Sequence, residues 1–500
     1  ANRAPIGTEE TLQAATSASV KAFHTRWYRP ENAVVIAVGD ADPAQLEALV
    51  RKYFAEWKGQ GKLVPAPPFG DPVAPAGSNP ANPVGETRVL VEPELPRTLT
   101  YAVMRPWRQV RDTVTYNQGL MTGEVGMAVI NRRLEARARI GGKFLAAQVT
   151  RDKDNRSANS TFVEITPLDG DWKGALAEVR GVIADALASP PSAEEIEREV
   201  EGINVIFENG VEQTRLQPSG QLADDIVGAL DIRETVASPE TVLDIFTRSR
   251  PLFTPQAVWA ETKKLFTGAV TRSVYITPVS GEADAAGLRQ ALAMPAVVDP
   301  KARLASKPIS FAELPPVGEP GQVVADTPVG LFEISQIDLA NGVKAMIWPS
   351  KDEPGRVTVK VRFGAGYRQF TQGDAAYIQL GEMALVSSGE GALGEEEIDR
   401  VRTGRKIGFD FSIDDATFEF SGDTRNADLA DQLYLFAAKF GMPRWDVAPF
   451  RRAQAASKIG YESFASSPQG VLSRDLRYYQ RGKDGRFATP SPQEVDAATP

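Results

Sequence analysis

The chain has 500 residues, 56 basic and 65 acidic, for a formal net charge of −9, with no cysteine and one histidine, His24. No thiol means no disulfide framework, no cysteine-ligated zinc, no iron–sulfur cluster and no cysteine nucleophile, and one imidazole cannot furnish a His-rich metal site. The 42% hydrophobic and 24% charged composition is globular; no run approaches the ~18 apolar residues of a membrane helix, and the acidic balance argues against nucleic acid or anionic lipid as partner.

Two proline-rich stretches divide the chain: residues 61–86 hold seven prolines and residues 300–328 hold six. Proline lacks an N–H and disfavours helices and central strands, so both read as extended connectors. The pieces are 1–60, 87–299 and 329–500.

In the first piece, residues 8–25 read as a helix and the β-prone run 33–38 (AVVIAV) as a buried strand. Asp42 caps a helix with Pro43 at its first position and an apolar face of Leu46, Leu49, Val50, Tyr53 and Phe54. A helix–strand–helix of this size reads as the tail of a domain.

In the middle piece, residues 98–104, 144–149, 160–165 and 273–277 are strand-like. A helical pattern over 112–138 ends at Gly141-Gly142, another carries Leu176, Val179, Ile183 and Leu187, and Ser192 with Glu195 forms a capping box before a third. The last piece opens with residues 334–339 and 343–348 around Asn341-Gly342, the pattern of a two-residue type I′ hairpin. Residues 357–363 alternate as a half-buried strand, 375–386 read as a helix, and 409–413 and 416–421 form a hairpin across Asp414-Asp415. Leu429, Leu433, Phe436 and Phe440 stripe the helix that follows. The fold class is α+β.

Residues 3–16 (RAPIGTEETLQAAT) and 486–499 (RFATPSPQEVDAAT) align without a gap at an offset of 483 residues, with Leu12 opposite Val495. A duplicated protein cut out of phase would begin and end at equivalent points in this way.

The first piece carries R-A-P-I-G-T-E-E (3–10), F-H-T-R-W-Y-R-P-E-N (23–32) and G-D-A-D-P (39–43); the middle piece carries Asn131-Arg132-Arg133-Leu134-Glu135 followed by Phe144-Leu145-Ala146-Ala147. These segments, with residues 332–391, resemble the pitrilysin/insulinase-type zinc metallopeptidases over nearly the whole chain. The resemblance implies repeated two-layer α/β sandwich modules in clam-shell halves, here truncated at both ends. Residues 1–60 would be the C-terminal part of the first, catalytic-type module and 61–86 its linker. Residues 87–299 would be a second, non-catalytic module, 300–328 the inter-half linker, and 329–500 the front of a degenerate third module. In that family two histidines of an H-x-x-E-H helix and a later glutamate hold zinc, and the glutamate between the histidines is the base for a zinc-bound water.

Matching the family motif onto residues 373–382 (GDAAYIQLGE) puts Ala376 and Leu380 at the histidine positions and Gln379 at the base. Neither Ala nor Leu binds zinc, Gln has no basic carboxylate, residues 454–458 offer no ligand Glu, and Glu382 lies one turn off. The resemblance implies zinc in the parent protein and none on this chain, which then carries no catalytic residue of its own. It would supply chamber wall and linker for hydrolysis of peptides or unfolded polypeptide, and associate with the missing parts or a homologous subunit. The alternative is a non-catalytic peptide-binding or assembly subunit that partners an active chain. Family habit puts a bacterial parent in the periplasm or outside the cell; these residues contain no targeting segment.

Other features have ordinary explanations. His24 reads as a structural surface histidine. Gly364-Ala365-Gly366 is followed by Gln369, so it fails the dinucleotide fingerprint and reads as a strand-end turn. The N-x-S/T matches at Asn155 and Asn159 read as chance, Glu395-Glu396-Glu397 as complementing a helix dipole, and the Phe409/Phe411 and Phe418/Phe420 stripes as core strands.

Overall fold

The computed structural model describes every residue except 1–5, 67–69, 155, 215–216, 301–302, 304–308, 331, 352, 354 and 466. Arg3, Ala4 and Pro5 of the first motif, the linker prolines Pro67, Pro68 and Pro308, and Asn155 lie outside the described residues.

Three helices follow residue 6: α1 (Glu9–Gln13), α2 (Ser17–Trp27) and α3 (Pro43–Phe54). The single helix expected over 8–25 is broken because Thr16 starts a new one, its side chain accepting from the Ser19 N–H. Asp42 caps α3 as expected, accepting from the Ala44 N–H with Pro43 at the first position. Residues 33–38 are not a strand. They pair with no neighbour among the described residues, and a strand needs a ladder partner for its N–H and C=O groups. Val34 and Val35 stand 70% and 46% exposed. Among the described residues of 6–66 only Arg29 is buried, donating to the Gln60 carbonyl at 2.8 Å and pairing with Glu31 at 3.0 Å.

The middle piece runs β1 (Val84–Val91), β2 (Thr98–Pro106), α4 (Val114–Arg139), β3 (Phe144–Asp154), β4 (Ala158–Pro167), α5 (Trp172–Ala188), α6 (Ala193–Gln213), α7 (Ser219–Asp231), α8 (Pro239–Ser249), α9 (Pro255–Leu265), β5 (Val270–Thr277) and α10 (Ala285–Ala293). One sheet has the order β1-β5-β2-β4-β3; β1 and β5 are parallel and the other pairs antiparallel. Its inward row, Leu99, Tyr101, Val103, Val149, Val163 and Ile165, packs against Ile130 and Leu134 of α4 and Leu176, Val179 and Val182 of α5. A second core joins Val125 of α4 to Ile196 and Val200 of α6, Phe246 of α8 and Val258 of α9. The capping box at Ser192 and Glu195 is present.

The last piece contains β6 (Val323–Pro328), β7 (Ser335–Leu339), β8 (Lys344–Ile347), β9 (Arg356–Phe363), α11 (Ala375–Val386), α12 (Glu395–Arg402), β10 (Asp410–Ile413), β11 (Phe418–Arg425), α13 (Leu429–Gly441), α14 (Val447–Ser463), α15 (Pro468–Gln480) and α16 (Pro492–Ala497). Its two antiparallel sheets are ordered β10-β11-β9 and β6-β7-β8. Phenylalanines 409, 411, 418 and 420 are core residues, as expected.

Three expectations need correction. Strand β1 begins inside the first proline-rich stretch and β6 lies inside the second; both are edge strands, where a missing N–H is tolerated. The turn around Asn341-Gly342 is not type I′, since Asn341 does not take a positive φ. It is a three-residue loop: the Gly342 N–H donates to the Leu339 carbonyl at 2.9 Å, the Leu339 N–H to the Val343 carbonyl at 2.9 Å, and Gly342 alone takes φ 90°. The Gly364–Gly366 segment is a strand-end turn, as expected. Gly366, at φ 57°, would bring a Cβ within 2.0 Å of the Asp414 carbonyl.

Candidate functional site

Helix α11 presents Ala376, Gln379 and Leu380 to α14. Ala376 and Leu380 are 6% and 0% exposed, in a cluster with Phe450, Ala453, Val495 and Ala498. Gln379 Nε2 donates to Ser457 Oγ at 3.0 Å. Nearby on α14, Gln454 Nε2 donates to the carbonyls of Val495 at 2.7 Å and Ala498 at 3.1 Å, and Lys458 pairs with Asp496 at 2.7 Å. Gln454, Ser457 and Lys458 of α14 are thus spent on fastening α11 and α16.

Glu382 reaches the other side of α11, where its Oε1 accepts from the Ile413 N–H at 2.7 Å. Burial pushes its carboxyl up, against that hydrogen bond and the charge of Arg477. Glu382 therefore ties α11 to β10. At these positions zinc would meet two hydrocarbon side chains and one amide, a donor set that does not fit the metal. Among the described residues no group of three His, Cys, Asp or Glu side chains could hold a metal ion.

His24 lies on α2 and stacks on Tyr28, ring centroids 4.5 Å apart. Asn159 lies in β4, not in a surface loop. Glu395 does more than complement a helix dipole: it pairs with Arg452 at 2.5 Å and Arg139 at 3.3 Å, and Arg139 also pairs with Asp399. This ionic cluster joins α4 to α12 and α14. Arg133 is 1% exposed and pairs with Glu195 at 2.7 Å and Asp185 at 3.1 Å.

Beside this cluster lies a cleft of about 470 Å³. It is lined by Asn131, Glu135, Arg139, Glu164, Glu395 and Arg452, and by residues 145–148 of β3. Strand β3 is an edge of its sheet, so one side of its backbone lacks a neighbouring strand. No periodicity could have signalled this cleft, because its residues come from distant parts of the sequence.

A family profile described as "Peptidase M16 inactive domain" matches residues 14–203. The zinc protease PqqE of Helicobacter pylori is 35% identical over 69 residues, 14% of this chain and 16% of that protein. The probable zinc protease PqqL of Escherichia coli is 40% identical over 50 residues, 10% of this chain and 5% of that protein. Residues 14–203 thus match a domain of the pitrilysin/insulinase-type, or M16, peptidases, the family that the chain resembles. The M16 domain matched is described as the inactive one. Among solved structures, a mutant of the ferredoxin protease FusC, in complex with Arabidopsis ferredoxin, shares the fold with a TM-score of 0.59 at 15% identity, covering 99% of this chain and 54% of that one. The chain spans about half the length of that protein, and its matches to the curated relatives are shorter still.

Proposed function

We propose that this chain is the non-catalytic wall and inter-half linker of a zinc metallopeptidase that hydrolyses peptides in an enclosed chamber. The observation that carries this reading is the unmatched apolar surface of residues 6–66. Phe23, Leu49 and Tyr53 stand 60%, 49% and 66% exposed on capped, well-formed helices. Large apolar side chains exposed on several formed helices fit an interface that is covered in a larger assembly. The partner fitting it is a peptidase-type module with an intact H-x-x-E-H helix. Such a module brings the zinc, the metal-bound water and its base; this chain brings the opposing wall. The cleft beside the β3 edge would face a peptide, and an extended peptide can add to such an edge as a further strand.

The test is to assay the chain alone, then together with an M16 module bearing the intact helix, for hydrolysis of a quenched fluorescent peptide and for zinc by metal analysis. The chain alone is expected to hydrolyse nothing and retain no stoichiometric zinc; the assembly is expected to do both. One tightly held zinc per isolated chain, removable together with activity, overturns the proposal.

A further inference from the structure

A cavity of about 430 Å³ lies at the other end of the five-stranded sheet, beneath the first turns of α4 and beside the end of α9. We propose that it is a binding site for a small oxyanion-bearing molecule, a phosphate or a carboxylate, gripped by Arg105 and Arg151.

The argument starts from strand register. Leu99, Tyr101 and Val103 are 0%, 6% and 7% exposed, and the next residue of that inward row is Arg105. On β3, Val149 is 0% exposed and the next inward residue is Arg151. Asn159 stands opposite Arg105, and Thr161 stands between Val103 and Arg151. Period-two alternation places these residues on one face. Two guanidinium groups thus continue rows that are otherwise hydrocarbon, and they open into a cavity.

Their charges are unequally matched. Arg151 pairs with Glu124. Arg105 has no carboxylate partner among the described residues: Nη1 donates to the Leu265 carbonyl at 2.5 Å and the Lys264 carbonyl at 3.5 Å, and Nη2 to Thr161 Oγ1 at 2.8 Å. A guanidinium has five N–H groups, so at least two of them lack a protein acceptor. Burial and the charge of Arg151 both weaken the hold of Arg105 on its proton, and a bound anion would reverse that. The Tyr116 hydroxyl and the Asn159 amide, both on the cavity wall, have no protein partner among the described residues.

Glycines keep the space open. Gly119 and Gly123 lie one turn apart on α4 and line the cavity. A Cβ at Gly119 would meet nothing within 4 Å, so packing does not demand glycine there. Glycine inside a helix costs about 1 kcal/mol relative to alanine. A pocket of this size with a few convergent polar groups is the usual form of a small-molecule site, and the arginine fork matches carboxylate and phosphate geometry.

The test is calorimetric titration of the full chain with inorganic phosphate and, separately, with succinate, against chloride at equal ionic strength. Saturable one-site binding of either probe is expected, and the probe that binds identifies the anion. Arg105→Gln should weaken binding at least about tenfold. Gly119→Leu fills the cavity while leaving both arginines in the sequence; it should abolish binding while leaving the circular dichroism spectrum unchanged, and it decides the matter if the arginine variant misfolds. No saturable binding of either probe in the millimolar range, or binding that survives Gly119→Leu, overturns the proposal.

Discussion

Leu12 and Val495 each stand four residues after the cap of a short helix with the same box geometry, yet Leu12 is 62% exposed and Val495 1%. Thr8 and Ser491 are the two caps, and each accepts from the backbone N–H three residues on. The two segments at the 483-residue offset thus each form a capped short helix, and of the two apolar residues only Val495 is packed, against α11 and α14. Val495→Ala should cost about 2 kcal/mol by removing fully buried methyl groups, whereas Leu12→Ala should change stability by less than about 0.5 kcal/mol. Urea unfolding of both variants checks this; equal losses would refute the asymmetry.

The same asymmetry governs residues 33–38. Without a ladder partner their amides have no sheet protection, so hydrogen exchange should be orders of magnitude faster there than in β2 or β5. On the proposed function, binding of an M16 module bearing the intact helix should slow it. Protection equal to that of β2 in the isolated chain would count against the reading.

Glu390 and Lys439 form an ion pair at 2.7 Å with both side chains 0% exposed. Lys439 Nζ also donates to the Leu385 carbonyl at 3.1 Å and to the Ser388 carbonyl. Burial pushes the carboxyl up and the ammonium down, and each partner's charge opposes the other's shift. Removing one partner strands a buried charge. Lys439→Met and Glu390→Gln should each cost about 3–5 kcal/mol, and the double variant clearly less than their sum. Simple additivity in a double-mutant cycle would contradict this.

Glu382 makes stability pH-dependent in a defined direction. Its folded carboxyl is raised above the ordinary value of 4.5 by burial, so the folded chain binds this proton more tightly than the unfolded one. The stability it contributes is fully present below 4.5 and is lost as pH rises through the folded value. Glu382→Gln keeps an acceptor for the Ile413 N–H and removes the titration. The stability of wild type relative to this variant should fall as pH rises through that window; a flat difference would contradict the assignment.

Much of this architecture could be read from local pattern. The cap at Asp42, the box at Ser192 and Glu195, the alternation of β9 and the span of α11 were legible because each depends on neighbouring residues. Residues 33–38 were misread because their β-propensity is real but no strand among the described residues pairs with them. Strands β1 and β6 were hidden because proline density suggested connectors, although edge strands tolerate proline. Positions 376, 379 and 380 were singled out only through a resemblance, and their surroundings could not be read at all: the contacts from Phe450, Ser457 and Val495 come from residues at least 70 positions later. The ionic cluster of Arg139, Glu395 and Arg452 and both cavities escaped for the same reason.

The order β1-β5-β2 has a consequence for biosynthesis. Strand β5 lies between the two strands that emerge first, and it is made roughly 160 residues after β2. At ordinary elongation rates the ribosome needs on the order of 10 s or more to cover that distance. Throughout that interval one edge of β2 and the facing edge of β1 wait unpaired, an opening for mispairing or for a holding chaperone. The slot closes only when residues 270–277 arrive, so a nascent chain stalled before that point should be far more aggregation-prone than one stalled just beyond it.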